Sequence, residues 1–229
     1  MKVILVVLSA IILVGCKGMP GSNTLRDSTD STSYALGINF GNRFKTDSIR
    51  INPELFVRGI QDAMIDSSKK LLTDQEVGSA LGRLDQAITM KHMAAGMAQA
   101  AKNKKEGEDF LEQNKKRQGV ITLPSGLQYE VINNGSGRMP RRGQTIEARY
   151  RGTLVNGSEF DSSEKHGGSV KFVVDQVIPG WTEALLRMNV GSKWKLFIPS
   201  ELAYGERGAG NVIGPNQALI FDIELVSIQ

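Results

Sequence analysis

Cysteine and histidine are almost absent from this 229-residue chain, which has one cysteine and two histidines. A single cysteine excludes a disulfide framework, and so small a supply of both residue types excludes a zinc site built from them. Charge of one sign is not concentrated either. The 28 lysines and arginines stand against 24 aspartates and glutamates, and most basic clusters have acids beside them, as in residues 102–117. A nucleic-acid-binding protein would gather its basic residues along one stripe, so the sequence disfavours nucleic acid as a partner.

Motifs of the common catalytic classes are missing as well. There is no GxxxxGK[ST] loop for phosphate, and residues 208–214 only imitate a dinucleotide motif, because Pro215 follows where a helix would begin. That segment is more typical of a mobile loop. His92 and His166 have no nucleophile or metal ligand beside them, and both are predicted to lie at the surface, the second in a glycine-rich turn. We therefore expect no metal, no other cofactor, and neither covalent nor ordinary acid–base catalysis.

A hydrophobic run long enough to span a membrane is also lacking. Residues 3–14 are apolar with one exception, but a spanning helix needs about 20 such residues. A run of this length after a positively charged start is typical of a secretory signal peptide. It ends in Leu13-Val14-Gly15-Cys16, which resembles the lipobox of bacterial lipoproteins.

The lipobox resemblance implies that residues 1–15 are removed and that Cys16 is acylated, which would anchor the protein in a membrane. Lys17, which follows the cysteine, favours the outer membrane over retention at the inner one. The expected location is the cell envelope, with the protein body facing the periplasm. An ordinary signal peptide followed by a stray thiol is the alternative.

Composition and periodicity divide the rest of the chain into three parts. Residues 16–30 are small and polar and are predicted to form a flexible tether. Residues 31–119 have helical periodicity, whereas residues 120–229 alternate with the period of β-strands. We therefore expect an α+β protein with an all-helical region ahead of an antiparallel sheet.

Three helices are predicted in the region 31–119. Ser33 is the predicted cap of the first, Pro53 is at the first position of the second, and Thr73–Glu76 form a capping box for the third. No proline interrupts residues 54–123, so the third helix is predicted to exceed forty residues. A helix that long cannot bury its apolar stripe within one small unit. It lies against another chain or stands exposed, and we interpret the region as a homodimerisation region.

Met90, Met93 and Met97 form an apolar patch on the third predicted helix. A methionine cluster can be a promiscuous binding surface, although filling of a core or an interface is more common. We favour a seam between two copies of the chain over a groove for client proteins.

The C-terminal region is predicted to contain about five antiparallel strands wrapped on one short helix. Ile146, Ala148 and Tyr150 alternate with charged residues, and Asn156-Gly157 is a pair typical of hairpin turns. Leu219, Phe221, Ile223 and Leu225 would share one face of the last strand. The further strands are predicted at 169–174, 192–198 and 219–228, and the helix at 181–188.

Five ordered motifs make the C-terminal region recognisable. They are Tyr150–Thr153, Asn156–Ser163, Gln176–Trp181, Ala203–Gly205 and Gly214–Phe221. Residues 121–229 resemble the FKBP-type peptidyl-prolyl cis-trans isomerases. The leader at 123–129 and the helical region are similar to the macrophage infectivity potentiator (Mip) and FkpA group of that family, so the resemblance covers nearly the whole mature chain.

The resemblance implies an enzyme that accelerates rotation about prolyl peptide bonds during folding of exported proteins, with unfolded or nascent proline-containing proteins as partners. It also implies a set of pocket residues. The expected catalytic residues are Asp161, Tyr204, Trp181 and Phe160, and the expected substrate-binding residues are Tyr150, Val177, Ile178, Ile213, Phe221 and Val170.

Two positions depart from the commonest pattern of the family. Val170 replaces an aromatic residue at the pocket edge, and Ala209 replaces a loop histidine. We expect altered sequence preference and weaker contact with macrolide ligands, with activity kept. The alternative function is a holdase chaperone whose helices bind clients, with isomerase activity secondary. A purely structural envelope lipoprotein would require an occluded pocket.

Overall fold

The structure is a computed structural model that describes residues 24–64 and 70–229. The predicted signal peptide, Cys16 and most of the predicted tether lie outside the described residues. The chain forms two compact units, one up to Gly82 and one from Arg83 to Gln229.

The first unit contains helices α1 (Ser28–Asp47) and α2 (Pro53–Met64) and the start of α3. The carboxylate of Asp27 accepts the N–H of Asp30 and caps α1, so the helix begins before Ser33, the predicted cap. The Ser33 hydroxyl instead donates to the Thr29 carbonyl inside the helix. The prediction of Ser33 as the cap was therefore wrong, because an acidic side chain upstream satisfies the first free N–H groups.

Three phenylalanines join α1 to α2. Phe40 and Phe44 of α1 pack on Phe56 of α2, with ring centroids 5.9 and 5.5 Å apart. The predicted start of α2 at Pro53 is confirmed, and the Asn52 side chain accepts the N–H groups of Glu54 and Leu55. This aromatic cluster holds the two helices together as a hairpin.

Helix α3 (Asp74–Asn114) has 41 residues, which confirms the predicted length. Its N-terminus carries the predicted capping box: Thr73 N–H donates to Glu76 Oε2 at 2.8 Å, and Glu76 N–H donates to Thr73 Oγ1 at 3.2 Å. The hydrogen bonds from Thr73 lower the pKa of the Glu76 carboxyl. The buried residues of α3 are Asn103, Gly107 and Asn114, all near its C-terminus.

The second unit is built on one antiparallel sheet in the order β1-β2-β6-β7-β3-β4, with β5 also paired to β3. It has seven strands rather than about five, because residues 120–133 add two short ones. The predicted hairpin turn at Asn156-Gly157 is confirmed between β3 and β4. The strands are β1 (Val120–Thr122), β2 (Gln128–Asn133), β3 (Thr145–Leu154), β4 (Glu159–Ser162), β5 (Val170–Val173), β6 (Lys193–Ile198) and β7 (Leu219–Ile228).

Helix α4 (Pro179–Leu185) packs against this sheet. It begins at Pro179 rather than at 181, because proline suits the first position of a helix, and it ends at Leu185 rather than at 188. The predicted common face of β7 is confirmed and forms the centre of the core with α4. The fully buried side chains here include Leu185, Met188, Leu196, Ile198, Leu219, Ile223 and Leu225. The predicted α+β fold class is confirmed.

The last turns of α3 pack on the same sheet. Phe110 lies 5.9 Å from the Phe197 ring, and the Asn114 side chain donates to Gln128 Oε1 at 2.9 Å. A Cβ atom on Gly107 would stand 3.1 Å from the Cβ of Ala218, so the helix approaches the chain closely there. These turns of α3 are therefore part of the core packing of the second unit. Among the helices of the described residues, none combines the length and the apolar character needed to cross a membrane.

Candidate active site

A cavity of about 450 Å³ opens between α4, the sheet and the segment after β6. All but two of the residues predicted for the site line it. The lining residues are Tyr150, Phe160, Asp161, Phe172, Gln176, Val177, Ile178, Trp181, Tyr204 and Phe221.

Trp181 forms the floor of the cavity. It is the third residue of α4 and only 4% exposed, so the short helix fixes its position. The rings of Tyr150, Phe172 and Phe221 meet the indole edge to face, at centroid distances of 5.3, 5.3 and 5.1 Å. Phe160 packs edge to face on Phe221 at 5.4 Å. The result is an aromatic bowl whose rings hold one another in place.

Gly152 makes this arrangement of rings possible. It lies in β3 between Tyr150 and the turn to β4, and a Cβ atom there would stand 2.5 Å from the Phe160 ring and 2.8 Å from the Phe221 ring. Any larger residue would displace both walls of the bowl. The sequence contained this glycine within a recognised motif, but nothing in the pattern assigned it a role in the pocket.

Asp161 is the one carboxylate in the lining, and its two oxygens are bound from opposite sides. The Tyr150 hydroxyl donates to Oδ2 at 2.6 Å. Oδ1 accepts the backbone N–H of Ser162 at 2.9 Å and lies 3.0 Å from Nε2 of His166. The side chain is 38% exposed, so it sits at the edge of the cavity rather than in the core.

These contacts set the ionisation of the acidic groups in the cavity. Burial raises the pKa of Asp161, but the hydrogen bonds from Tyr150, His166 and Ser162 outweigh it, so the net pKa is lowered. Burial and then the bond to Asp161 raise the pKa of Tyr150. Burial, followed by the charge of Asp161, raises the pKa of Tyr204. At neutral pH the site therefore holds one carboxylate and two protonated phenols.

Several hydrogen-bond donors at the cavity have no acceptor within the part of the chain that the structure describes, among them the buried indole N–H of Trp181. The backbone N–H of Ile178, just before α4, has no acceptor there, and neither has the Tyr204 hydroxyl. The Tyr204 side chain is 41% exposed at the rim. Both donors are available to carbonyl groups of a bound peptide.

Val170 and Ile213 do not line the cavity. Ile213 is 6% exposed and belongs to the core, where a pair of backbone hydrogen bonds with Ala209 closes a tight turn over residues 209–213. Val170 is partly buried at the start of β5. Phe172, two residues further along the same strand face, supplies the aromatic wall instead.

His166, Phe172 and Gln176 are the site residues that sequence reasoning missed. The alternation of residues 169–174 put Phe172 on the same face as Val170, which was a usable signal. His166 is exposed as predicted, but it does have a neighbour: the 3-10 turn Ser163–His166 brings it back to Asp161. Across residues 24–64 and 70–229, no group of three or more His, Cys, Asp or Glu side chains could hold a metal ion.

Comparison with known proteins agrees with this geometry. Residues 29–131 match the family described as "Domain amino terminal to FKBP-type peptidyl-prolyl isomerase", and residues 136–226 match "FKBP-type peptidyl-prolyl cis-trans isomerase". The chain belongs to the FKBP-type peptidyl-prolyl cis-trans isomerases. The predicted family, and with it the predicted isomerase activity, is confirmed.

Relatives of this FKBP-type chain extend over both of its units. It is 39% identical to "Outer membrane protein MIP" of Legionella longbeachae, over all of this chain and 98% of the relative. It is 37% identical to "Peptidyl-prolyl cis-trans isomerase Mip" of Coxiella burnetii, with the same coverage. The crystal structure of FkpA from Escherichia coli matches 90% of this chain and 99% of that one, at 35% identity and a TM-score of 0.74.

Proposed function

We propose that the aromatic bowl is where this isomerase binds a prolyl peptide bond and lowers the barrier to its rotation, acting on proteins exported to the cell envelope. The uncatalysed barrier is about 20 kcal/mol, because twisting the bond destroys amide resonance. No proton needs to move, so a site without a nucleophile or a general base suffices. The observation that supports this best is the bowl itself: four aromatic rings around Trp181 with one bound carboxylate at the edge.

Catalysis follows if the site binds the twisted amide better than the planar one. Loss of resonance takes charge off the carbonyl oxygen, so the twisted amide is the less polar form. A cavity with aromatic walls, from which the bound peptide displaces water, therefore favours it. The proline ring would rest on Trp181, with Phe160, Tyr150, Phe172 and Phe221 as walls.

The polar groups at the rim would orient the peptide. The Ile178 N–H and the Tyr204 hydroxyl would donate to substrate carbonyls, because neither has an acceptor among the described residues. Asp161 would sit next to the rotating amide, with Val177 completing the rim. Ile213 would act indirectly, through the shape of the turn that it closes.

Membrane attachment through an acylated Cys16 remains part of the proposal. It is supported by the sequence Leu13-Val14-Gly15-Cys16 and by the name of the Legionella relative, "Outer membrane protein MIP". The body would face the periplasm, where its clients would be unfolded or nascent exported proteins. Labelling cells with a radioactive fatty acid tests the anchor, because a Cys16→Ser variant should lose the label.

A homodimer built through the helical region is also proposed. Within the described chain, no residue of α1 or α2 is buried, and large apolar side chains such as Tyr34, Leu36 and Leu55 are 55–63% exposed. So much exposed apolar surface is unusual for a monomer. A second copy of the chain would cover it.

A holdase role is the second candidate, and one observation favours it. Met90, Met93 and Met97 of α3 are 57–67% exposed, and flexible apolar side chains suit varied clients. Trp181→Ala and Asp161→Leu variants separate the two functions. We expect both to lose most isomerase activity on a proline tetrapeptide. If they still protect an aggregating client fully, protection does not depend on the bowl; full activity in both would refute the proposed site.

A further inference from the structure

His166 is the residue near the cavity whose contact the proposed mechanism does not use. It ends the 3-10 turn Ser163–His166, which follows β4 directly, so its ring returns to the strand that carries Asp161. Its Nε2 lies 3.0 Å from Asp161 Oδ1, while the Tyr150 hydroxyl binds Oδ2. The carboxylate is thus held between a wall of the bowl and an ionisable ring.

Two cations close to this pair bind a different acid, and Glu164 lies in the same 3-10 turn as His166. Lys165, next to His166, forms an ion pair with Glu159 at 3.0 Å, and Arg151 binds the same Glu159 at 2.7 Å. The Tyr150 hydroxyl of β3 donates to the Asp161 carboxylate. The charge of Asp161 also acts on the Tyr204 hydroxyl at the rim of the cavity. Asp161 is therefore the acid that His166 contacts.

We propose that His166 is a positioning residue that fixes Asp161 for catalysis and makes the isomerase faster on the acid side of neutrality. The inference rests on the proposed role of Asp161. A protonated imidazole carries a hydrogen on both ring nitrogens, so its Nε2 always donates, and its positive charge attracts the carboxylate as a neutral ring does not. It also compensates the carboxylate charge at the edge of a cavity that favours a less polar transition state.

The direction of the pH effect follows from which group changes charge. Histidine is the side chain that ordinarily changes charge between pH 5 and 8. Hydrogen bonds keep the pKa of Asp161 below its usual value, so Asp161 stays ionised throughout that range. At the higher pH values, where a histidine side chain is ordinarily neutral, the positive charge beside Asp161 would be missing and the carboxylate would be less tightly held. Catalytic efficiency should therefore fall.

The test is the pH profile of kcat/KM for the full-length protein, measured by NMR exchange on a capped proline tetrapeptide without ionisable side chains. We expect a fall of about two- to fivefold between pH 5.5 and 8.5, the range expected for an exposed ion pair. His166→Arg should stay at the high value across the range, and His166→Gln should stay at the low value. His92→Gln, the matched control, should keep the wild-type slope.

Other outcomes have distinct meanings. A flat wild-type profile, or an unchanged slope in His166→Gln, would overturn the positioning role while leaving the isomerase intact. No catalysis by the wild type at any pH would instead contradict the proposed function. If His166→Gln unfolds, the comparison of wild type with His166→Arg still decides the matter, because arginine keeps its charge at every pH tested.

Discussion

At the scale of single residues, the cavity is divided between rings that exclude water and one carboxylate that is firmly bound. Phe221 would be buried in any sheet of this kind and Trp181 in any helix packed on such a sheet, so their burial alone indicates little. Asp161 is more informative, because a carboxylate next to an aromatic bowl costs free energy unless other groups bind it. Here Tyr150, Ser162 and His166 all do so.

The Tyr150 hydroxyl provides the first test at this scale. Tyr150→Phe keeps the ring but removes the 2.6 Å hydrogen bond to Asp161. Because that bond lowers the pKa of Asp161, its loss should raise it, which a carboxyl NMR titration would detect. We expect kcat/KM to fall by roughly two- to tenfold, which corresponds to the net contribution of a typical intramolecular hydrogen bond. An unchanged pKa of Asp161 would contradict the network.

Gly152 provides the second test at this scale. In Gly152→Ala the new Cβ would lie 2.5 Å from the Phe160 ring, so the walls must move. We expect a loss of roughly ten- to a hundredfold in kcat/KM, since small misplacements in an active site are costly. Thr153→Ala, whose side chain leaves β3 on the other face, is the control and should keep its activity. Equal activities in the two variants would show that the ring positions do not matter.

Residue identities in the site were largely predictable, whereas two kinds of contact were not. The ordered motifs supplied eight of the ten lining residues, because each motif lies in or directly beside a strand or α4, or in the segment between β6 and β7. Gln176 also lay within a recognised motif, but nothing there marked it as lining the cavity. The partnership of His166 with Asp161 depends on a 3-10 turn that residue spacing does not indicate. For the wall, alternation put Val170 and Phe172 on one face of β5 but did not indicate which of the two lines the cavity.

At the scale of elements, the C-terminal turns of α3 behave as part of the sheet domain. Asn103 is 4% exposed and donates to the Pro215 carbonyl at 2.8 Å, and so ties the helix to the segment that follows the 209–213 turn. Gly107 allows the close approach to Ala218. We infer that an isomerase fragment needs these turns.

Gly107→Val tests this attachment. The added side chain would clash with Ala218, so we expect a loss of about 1–3 kcal/mol in the free energy of unfolding, the usual effect of overpacking. Gly96→Val on the same helix is the matched control, because a Cβ there meets nothing within 4 Å. Denaturant unfolding measures both. Equal stabilities would mean that α3 is not packed on the sheet in solution.

The long elements were predicted more accurately than the short ones, for a physical reason. Caps and the absence of proline gave the start of α2 and the start and approximate length of α3, and alternation gave β6 and β7 to within one residue. Strand β1 is three residues long, too short for alternation to stand out. It forms only because β2, itself six residues long, pairs with it.

At the scale of the whole molecule, the exposed apolar side chains of α1 and α2 account for the proposed dimer. Ile38 of α1 is 49% exposed, and Ile38→Glu would place a charge on the face expected to be covered. We expect sedimentation to show a dimer for the wild type and a monomer for this variant, with tetrapeptide catalysis unchanged. Asn39→Glu, the neighbouring polar position, is the control and should remain dimeric. A monomeric wild type would refute the dimer.

The most direct test of the central claim is catalysis of cis-to-trans relaxation in a proline tetrapeptide, with and without a macrolide ligand of FKBP-type isomerases. Uncatalysed relaxation takes tens to hundreds of seconds, so even a modest enzyme is easily measured. We predict a clear acceleration by the wild type that the macrolide reduces, because both ligands would occupy the bowl over Trp181. No acceleration by a folded sample would contradict the account.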